Sequence, residues 1–400
     1  MGDIKQQTVF PGVAKELKGT DDFELGIKRD SPLRYTLDLP DNGKAKGLVL
    51  VIPGFGADCS DEYQFKLRQH IVEKYNWAAA SVYYHAIAIR PQSGGAIVIE
   101  QEDIQVLRQA LLKRKLQVLP ELEPNLLALA KVLVASGEKE AIPCSIISPN
   151  GDYQNFGVMQ AIDHLLVLGE ILDFIADPEL PVVAFGSSHG GYLANLMAKF
   201  APNTFAAVLD NSSYVTPPLN YIIGRQVGMP EYTHQLPQYP GILFRCFSRN
   251  RWALQRNLPN FFSRDRMGIR SFSETLQLDA MAKYGNCKAQ YRFIHSSRDG
   301  NIAPFEEKKR YSDLLRKMGF DVVLKVVSEK DVDGTLVKNL DHGMGLSLKK
   351  MFEYFFPTIT PTRSVNDFQL QSKIVYEGFL TNYIFEFSGK RVIPTVQNVQ

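Results

Sequence analysis

The sequence predicts a doubly wound α/β fold, in which helices cover both faces of a mostly parallel sheet. Short apolar runs alternate with segments whose apolar residues recur at helical spacing. The clearest example is PVVAFGSSHGGYLANLMAKF at 181–200, in which an apolar run ends at a serine flanked by glycines and continues as an amphipathic helix. A chain of 400 residues with 45% hydrophobic content can bury a large core, which allows one large domain with insertions or two domains.

The turn inside that segment predicts a catalytic serine. Gly186, Ser188 and Gly190 spell G-x-S-x-G, in which the glycines allow a tight strand-to-helix turn that exposes a serine side chain. Residues 182–185 predict a buried parallel strand before the turn. Ser187 lies in the same turn, but this geometry exposes the middle serine of the pattern, so Ser188 is the candidate nucleophile.

The remaining elements follow the same alternation. The predicted strands are 47–52, 77–84, 205–209, 290–295 and 322–327, and the predicted helices are 62–75, 159–175, 305–318 and 346–355. Residues 23–39 predict an antiparallel hairpin that turns at 30–32. Residues 374–387 alternate as a strand does and predict either a hairpin against the core or a partner surface.

Two stretches break the alternation and predict insertions. Residues 85–150 predict a helical insertion, with helices at 103–119 and 121–136. Residues 215–280 are rich in proline, aromatic residues and arginine, which favours a cap over the site rather than part of a sheet. The resulting division is an N-terminal extension at 1–22, the main domain at 23–356 and a C-terminal extension at 357–400.

Three residues predict a catalytic triad. Ser188, Asp299 and His342 each follow a predicted strand and occur in the order nucleophile, acid, base. A serine hydroxyl needs an imidazole to take its proton, and the resulting imidazolium is stabilised by a carboxylate. Asp210, which follows the preceding strand, is an alternative acid. Asp341 is less suited, because neighbouring side chains seldom orient so that one supports the other.

The oxyanion site is predicted from two loops. In sites of this kind one backbone N–H comes from the residue after the nucleophile, here His189, and another comes from a loop after an earlier strand. The PGFG turn at 53–56 is that loop, and Phe55 is its candidate donor. The side chain of His189 is predicted to pack or to face substrate rather than to act as the base.

Four segments together resemble the α/β-hydrolase superfamily, nearest its prolyl-oligopeptidase and carbohydrate-esterase-like branches: GLVLVIPGFG, VVAFGSSHGGYLANL, FIHSSRDGNIAP and LDHGMG. The resemblance covers about 23–356 and implies the α/β-hydrolase fold and a serine hydrolase activity. DYQNFGVMQAID, which precedes the G-x-S-x-G turn, resembles a bacterial family of uncharacterised function associated with flagellar and surface-glycan gene neighbourhoods. The oxyanion loop departs from the superfamily pattern by reading PGFG instead of HGGG, so the resemblance does not assign a substrate.

Composition argues against a nucleic-acid-binding protein, a membrane-spanning protein and a metal-binding protein. The formal net charge is +2, from 45 Lys and Arg against 43 Asp and Glu, which predicts no nucleic-acid partner. No run approaches the roughly 18 apolar residues of a membrane span. The four cysteines lack metal-ligand spacing, so free thiols in a reducing cytoplasm are expected, with no metal and no other cofactor. The oligomeric state stays open.

The leading functional hypothesis is a serine hydrolase that cleaves a carboxylic ester through an acyl-enzyme. The alternatives are an acyltransferase with the same triad and a non-catalytic scaffold, while a peptidase fits less well. Residues 215–270 contain eight arginines against two acids and no lysine, which favours an anionic substrate such as an O-acylated acidic sugar. The candidate substrate contacts are Arg225, Arg245, Arg249 and Trp252.

Overall fold

The computed structural model describes residues 13–59, 61–113, 115, 131–132, 135–136, 140–235, 242–272, 275–284 and 289–399. The strands are β1 (Val13–Lys18), β2 (Pro32–Asp38), β3 (Leu48–Ile52), β4 (Ala78–Tyr83), β5 (Ala96–Val98), β6 (Glu140–Ile147), β7 (Val182–Ser187), β8 (Ala207–Asn211), β9 (Tyr232–His234), β10 (Ile242–Ser248), β11 (Gln290–Ser296), β12 (Val322–Val327), β13 (Lys373–Tyr376), β14 (Thr381–Ser388) and β15 (Arg391–Asn398). The helices are α1 (Glu62–Tyr75), α2 (Gln101–Lys113), α3 (Val158–Ile175), α4 (His189–Phe200), α5 (Leu219–Val227), α6 (Arg264–Arg270), α7 (Thr275–Tyr284), α8 (Phe305–Lys317), α9 (Leu348–Phe355) and α10 (Asp367–Leu370).

The chain divides into two compact units. Unit 1 is Met1–Ile87, Phe156–Pro217 and Ser263–Gln400, and unit 2 is Ala88–Asn155 and Pro218–Phe262. All the predicted catalytic and oxyanion residues belong to unit 1.

Unit 1 is built on a large sheet with the strand order β1-β2-β4-β3-β7-β8-β11-β12 among the described residues. The pairs from β4 to β12 are parallel, and β1 and β2 add an antiparallel edge. One face packs on α1 and α9 through Val51, Phe185 and Phe352. The alternate strand residues Leu50 and Ala184 are also buried, as a parallel sheet covered on both faces requires. The predicted doubly wound, mostly parallel sheet is therefore confirmed.

Most predicted elements of this sheet are confirmed to within a few residues. The predicted strands correspond to β3, β4, β7, β8, β11 and β12, and the predicted helices correspond to α1, α3, α4, α8 and α9. These elements could be predicted because each carries a clear apolar pattern in its own sequence.

The beginning of the chain differs from the predicted hairpin at 23–39. β2 pairs with β1, and the segment between them turns at 22–27 instead of forming a strand. The sequence of β1, VAKELK, is half charged, so its pairing depends on the neighbouring strand rather than on its own pattern. The sheet of unit 1 consequently begins within the stretch that was predicted to be an extension, residues 1–22.

Unit 2 contains strands that were not predicted. Its described sheet has the order β5-β6-β10-β9, in which β6 and β10 are parallel. The helical insertion predicted at 85–150 and the cap predicted at 215–280 were expected to contribute no strands, but each contributes two strands to this sheet. α2 confirms the first predicted helix in part, and the second, at 121–136, lies almost entirely outside the described residues. Residues 263–280 belong to unit 1.

The end of the chain packs on the core of unit 1. β13, β14 and β15 are paired in an antiparallel sheet. The ring of Phe385, on β14, stacks on that of Phe200 at the end of α4, with centroids 4.1 Å apart. Of the two alternatives predicted for this segment, packing against the core is the one that the structure shows.

A buried ion pair joins distant segments of unit 1. The side chains of Arg270 and Glu24 are fully buried and hydrogen-bonded, with Arg270 Nη1 2.9 Å from Glu24 Oε1. The hydroxyl of Tyr383, on β14, donates to the same carboxylate at 2.7 Å. Burial alone would raise the pKa of Glu24, but the charge and hydrogen bonds of Arg270 and the Tyr383 hydroxyl hold that pKa below its ordinary value of 4.5.

Removing the cation should strongly destabilise unit 1. Arg270→Met leaves the Glu24 carboxylate buried without its counter-charge, and we expect the free energy of unfolding to fall by about 3–5 kcal/mol. Arg363→Met is the control, because Arg363 pairs with Asp177 while its side chain is 55% exposed and the charges are screened by solvent. Denaturant unfolding of both variants measures the difference.

The pH dependence provides a second test of the same pair. Because the pKa of Glu24 is lowered on folding, the pair stabilises the protein above pH 4.5, and this contribution is lost as the pH falls through the folded-state pKa. The stability gap between wild type and Arg270→Met should therefore narrow at acidic pH. A gap that stays constant from neutral to strongly acidic pH contradicts the assignment.

Candidate active site

Ser188 lies at a strained turn between β7 and α4. Its backbone has φ 54° and ψ −118°, a left-handed conformation that side-chain-bearing residues rarely adopt. The flanking glycines allow the close packing that this turn requires. A Cβ added to Gly190 would lie 2.1 Å from the carbonyl oxygen of Ile52, and one added to Gly186 would lie 2.2 Å from the carbonyl carbon of Gly190. The turn has the geometry of a nucleophile elbow.

The structure brings Ser188, His342 and Asp299 together. Ser188 Oγ is 2.8 Å from His342 Nε2, and His342 Nδ1 is 2.6 Å from Asp299 Oδ2. The Asp299 side chain is 2% exposed, whereas the His342 side chain is 19% exposed. The three groups form a continuous hydrogen-bonded chain from an accessible hydroxyl to a buried carboxylate.

The charge of Asp299 fixes the tautomer of His342. Burial alone would raise the pKa of Asp299, but the hydrogen bond and charge of His342 and the backbone N–H of Ala303 hold it below the ordinary value of 3.8. The ionised carboxylate can only accept a hydrogen bond, so Nδ1 of His342 carries the proton. In the neutral ring Nε2 then presents a lone pair to the Ser188 hydroxyl.

The alternative acid, Asp210, has other partners. Its carboxylate is buried, pairs with Lys308 Nζ at 2.7 Å and accepts from Ser213 Oγ at 2.7 Å and Asn195 Nδ2 at 3.0 Å. Of the two acids that follow neighbouring strands, the structure therefore places Asp299 against His342, and Asp210 in a buried ion pair. Asp341 is exposed.

The predicted oxyanion loop passes beside the nucleophile. A Cβ added to Gly54 would lie 3.4 Å from Ser187 O and 3.8 Å from Ser188 Cβ. The ring of Phe55 lies against those of His189 and Phe156, with centroids 5.4 and 5.8 Å away. His189 directly follows Ser188, and Phe55 directly follows Gly54 and packs against the His189 ring, so both candidate donor residues belong to segments that meet at this turn.

A buried polar network behind the elbow was not identified from the sequence. Gln160 Oε1 accepts from Gly157 N–H at 2.9 Å, and Gln160 Nε2 donates to His85 O at 3.0 Å, which sets the orientation of the amide. His189 Nε2, 2.7 Å from Gln160 Oε1, must therefore be the donor. Its Nδ1 then accepts from the Tyr214 hydroxyl. DYQNFGVMQAID, the segment that carried the family resemblance, contains Gln160 and was the available signal.

The predicted substrate contacts in unit 2 have partners within that unit. Arg225 pairs with Asp103 at 2.6 Å, Arg249 pairs with Glu100 at 2.6 Å, and Arg245 donates to the carbonyl of Gly228 at 2.6 Å. Trp252 is 3% exposed and packs edge-on against Phe262. The burial of Trp252 does not agree with its prediction as a substrate contact.

The sequence matches one family model along most of its length. Residues 13–392 match the model described as "Protein of unknown function (DUF2920)". The chain belongs to this family. A search of curated proteins found no match.

Solved structures with a similar arrangement are α/β-hydrolase proteins. The acylaminoacyl peptidase of Pyrococcus horikoshii is 14% identical with a TM-score of 0.45, and the match covers 93% of this chain and 44% of that protein. Est1E from Butyrivibrio proteoclasticus, with ferulic acid bound, is 11% identical with a TM-score of 0.40, over 82% and 95% of the two chains. An alpha-beta serine hydrolase homologue from Coxiella burnetii is 11% identical with a TM-score of 0.42, over 88% and 99%.

Such distant likenesses assign no activity to this member of the family. The chain spans less than half the length of the Pyrococcus peptidase. The α/β-hydrolase fold follows from the chain itself, through its parallel sheet, the elbow after β7 and the order of Ser188, Asp299 and His342. Among the described residues, no helix combines the length and apolar character needed to cross a membrane.

The close approach at the elbow predicts a sharp difference between two glycines. Gly190→Ala should lower the free energy of unfolding by about 3 kcal/mol or more, because its methyl group overlaps the backbone of Ile52. Gly300→Ala is the control, since its added Cβ would have Arg298 O as its nearest atom, at 3.9 Å. We expect that change to alter stability by less than about 0.5 kcal/mol. Equal stabilities in denaturant titrations would contradict the packing described for the elbow.

Proposed function

We propose that this protein is a serine hydrolase that cleaves a carboxylic ester through an acyl-enzyme intermediate. The observation that carries the proposal is the hydrogen-bonded chain from Ser188 Oγ through His342 to the Asp299 carboxylate. A non-catalytic scaffold has no need of a strained serine whose hydroxyl faces a correctly protonated imidazole.

The acylation step follows from this geometry. Ser188 Oγ attacks the ester carbonyl carbon while Nε2 of His342 takes the hydroxyl proton. The imidazolium that forms keeps its Nδ1 proton hydrogen-bonded to Asp299, whose negative charge stabilises it. As the tetrahedral intermediate collapses, the C–O bond to the alcohol breaks and His342 returns its proton to the leaving oxygen.

Deacylation repeats the sequence with water. His342 takes a proton from water, the hydroxide oxygen attacks the acyl carbon, and Ser188 leaves with the proton that His342 returns. We assign stabilisation of the developing oxyanion in both steps to two backbone N–H groups, that of His189, the residue after Ser188, and that of Phe55, in the predicted oxyanion loop. The acyl group can pass either to water, as in a hydrolase, or to another acceptor, as in an acyltransferase. Water needs no additional binding site, so hydrolysis is the simpler of these two reactions.

The charge pattern of unit 2 gives less support to an anionic substrate than the sequence alone suggested. Arg225 and Arg249 are already paired with carboxylates, which reduces the local excess of positive charge. The proposed substrate class is therefore a small carboxylic ester, without a required negative charge.

The first functional test identifies the nucleophile. Ser188→Ala should abolish labelling by a fluorophosphonate and lower kcat for p-nitrophenyl acetate by a factor on the order of 10⁴ or more. Ser187→Ala is the matched control, because its hydroxyl lies in the same turn, and it should still take up one probe per chain. Intact-mass analysis reads both results. Labelling of Ser188→Ala at the wild-type rate would place the nucleophile elsewhere.

The second test separates the two acids. Asp299→Asn should lower kcat by a factor on the order of 10⁴, because a neutral amide no longer fixes the tautomer of His342. Asp210→Asn should instead cost about 3 kcal/mol of stability by leaving buried Lys308 without its counter-charge, while the folded fraction stays active.

Combining Asp210→Asn with Lys308→Met removes both charges and should recover part of that stability with catalysis retained. Kinetics with p-nitrophenyl acetate and denaturant unfolding together read the outcome. An inactive, fully folded Asp210 variant beside an active Asp299 variant would reverse the assignment.

A further inference from the structure

The base of the triad is carried by an irregular loop. His342 lies between the end of β12 and the start of α9, in residues 328–347, which contain one short helical turn at Glu329–Asp331. Two apolar side chains of this loop, Val337 and Met344, are buried in the core cluster of unit 1. These buried side chains hold the loop on the sheet, but they do not by themselves set the position of the His342 imidazole between its two hydrogen-bond partners.

Two side chains at the sheet edge bind the backbone on either side of His342. Ser296 Oγ donates to the carbonyl of Leu340 at 2.6 Å. Asn211 Nδ2 donates to Ser187 Oγ at 2.8 Å and also lies 3.4 Å from the carbonyl of Gly343, a longer contact. Ser296 and Asn211 are the last residues of β11 and β8, which are paired neighbours in the sheet. Both side chains are at most 1% exposed, so solvent does not compete for these hydrogen bonds.

The same two residues are also bonded to the other members of the triad. The carbonyl of Asn211 accepts from the backbone N–H of Ser188 at 2.7 Å. The carbonyl of Ser296 accepts from the N–H of Asp299 at 3.3 Å. Each residue therefore links the loop that carries His342 to one hydrogen-bond partner of His342. Asn211 links the loop to Ser188, and Ser296 links it to Asp299.

We propose that Ser296 and Asn211 are positioning residues that hold His342 within hydrogen-bond distance of both Ser188 and Asp299. This inference rests on the proposed function, because it assigns a role in the same proton transfer. Neither side chain contacts the Ser188 hydroxyl or the imidazole directly in the hydrogen bonds described. Their effect is on the distance and angle at Nε2 and Nδ1, to which proton transfer is steeply sensitive.

The test compares two buried serines that each donate to a backbone carbonyl. Ser296→Ala removes the bond to Leu340 O, together with the acceptor of the Arg298 N–H at 3.2 Å. Ser312→Ala removes a bond of 2.9 Å to Lys308 O within α8, from a side chain that is likewise fully buried. Each change should lower the melting temperature by a similar amount, about 2 °C.

Catalysis should separate the two variants. For Ser296→Ala we expect kcat for p-nitrophenyl acetate and the rate constant of fluorophosphonate labelling at Ser188 to fall on the order of 10- to 100-fold, with KM within about twofold. Ser312→Ala should leave both rates unchanged. A folded Ser296→Ala protein that is labelled and turns over at the wild-type rate overturns the role of Ser296.

Asn211→Ala provides an independent measurement and keeps the inference testable if Ser296→Ala does not fold. It should also lower both rates while KM changes little, and wild-type rates in this variant would overturn the role of Asn211. Failure of the proposed function gives a different result: wild-type protein would then show no labelling at Ser188. Labelled wild type with fully active positioning variants rejects only the inference made here.

Discussion

The left-handed backbone of Ser188 is the constraint on which the rest of the site depends. This conformation costs on the order of 1–3 kcal/mol for a residue with a side chain, so the surroundings must hold it in place. The backbone N–H of Ser188 donates to Asn211 O, and its carbonyl accepts from Tyr192 N–H. The glycine at 190 lets α4 begin against the end of β3. Ser188 is therefore held in one orientation, and the sheet, the helix α4 and the loop at 53–56 meet at this turn.

Two aspartates that follow neighbouring strands reach different chemical roles through their partners. Asp210, at the end of β8, is neutralised by the buried ammonium of Lys308, while Asp299, after β11, has the imidazole of His342 as its charge partner. Lys308 lies 98 residues after Asp210 in the sequence. The sequence therefore offers both acids, and only the fold decides between them. The Lys308 ammonium pairs with Asp210 inside the core, and Asp299 is left to bind the imidazole of His342, the proposed base.

The sequence predicted the parts of the fold whose burial is local. The apolar run of β3 predicts a buried strand, and the amphipathic pattern of α1 predicts a helix. The strands before Ser188, Asp299 and the His342 loop could be placed from patterns of the same kind. The pairing of β1 with β2, and of β6 with β10 in unit 2, was missed because it joins segments with weak patterns. Gln160 was missed for another reason: in sequence it is one polar residue of a helix, and only its neighbours make it the partner of His189.

His189 and His342 both lie close to Ser188, yet only His342 has a ring nitrogen within hydrogen-bond distance of Ser188 Oγ in the bonds described. Burial, with a smaller effect from His164, lowers the pKa of His189 to about 3, so its ring stays neutral near neutral pH. Its Nε2 proton is committed to Gln160, and its Nδ1 lone pair is committed to the Tyr214 hydroxyl. His342 instead has an ionised carboxylate behind it and a partly exposed ring, conditions that favour a transient positive charge. In the proposed mechanism the proton that leaves Ser188 therefore goes to His342, while His189 is a fixed, uncharged support for the first turn of α4.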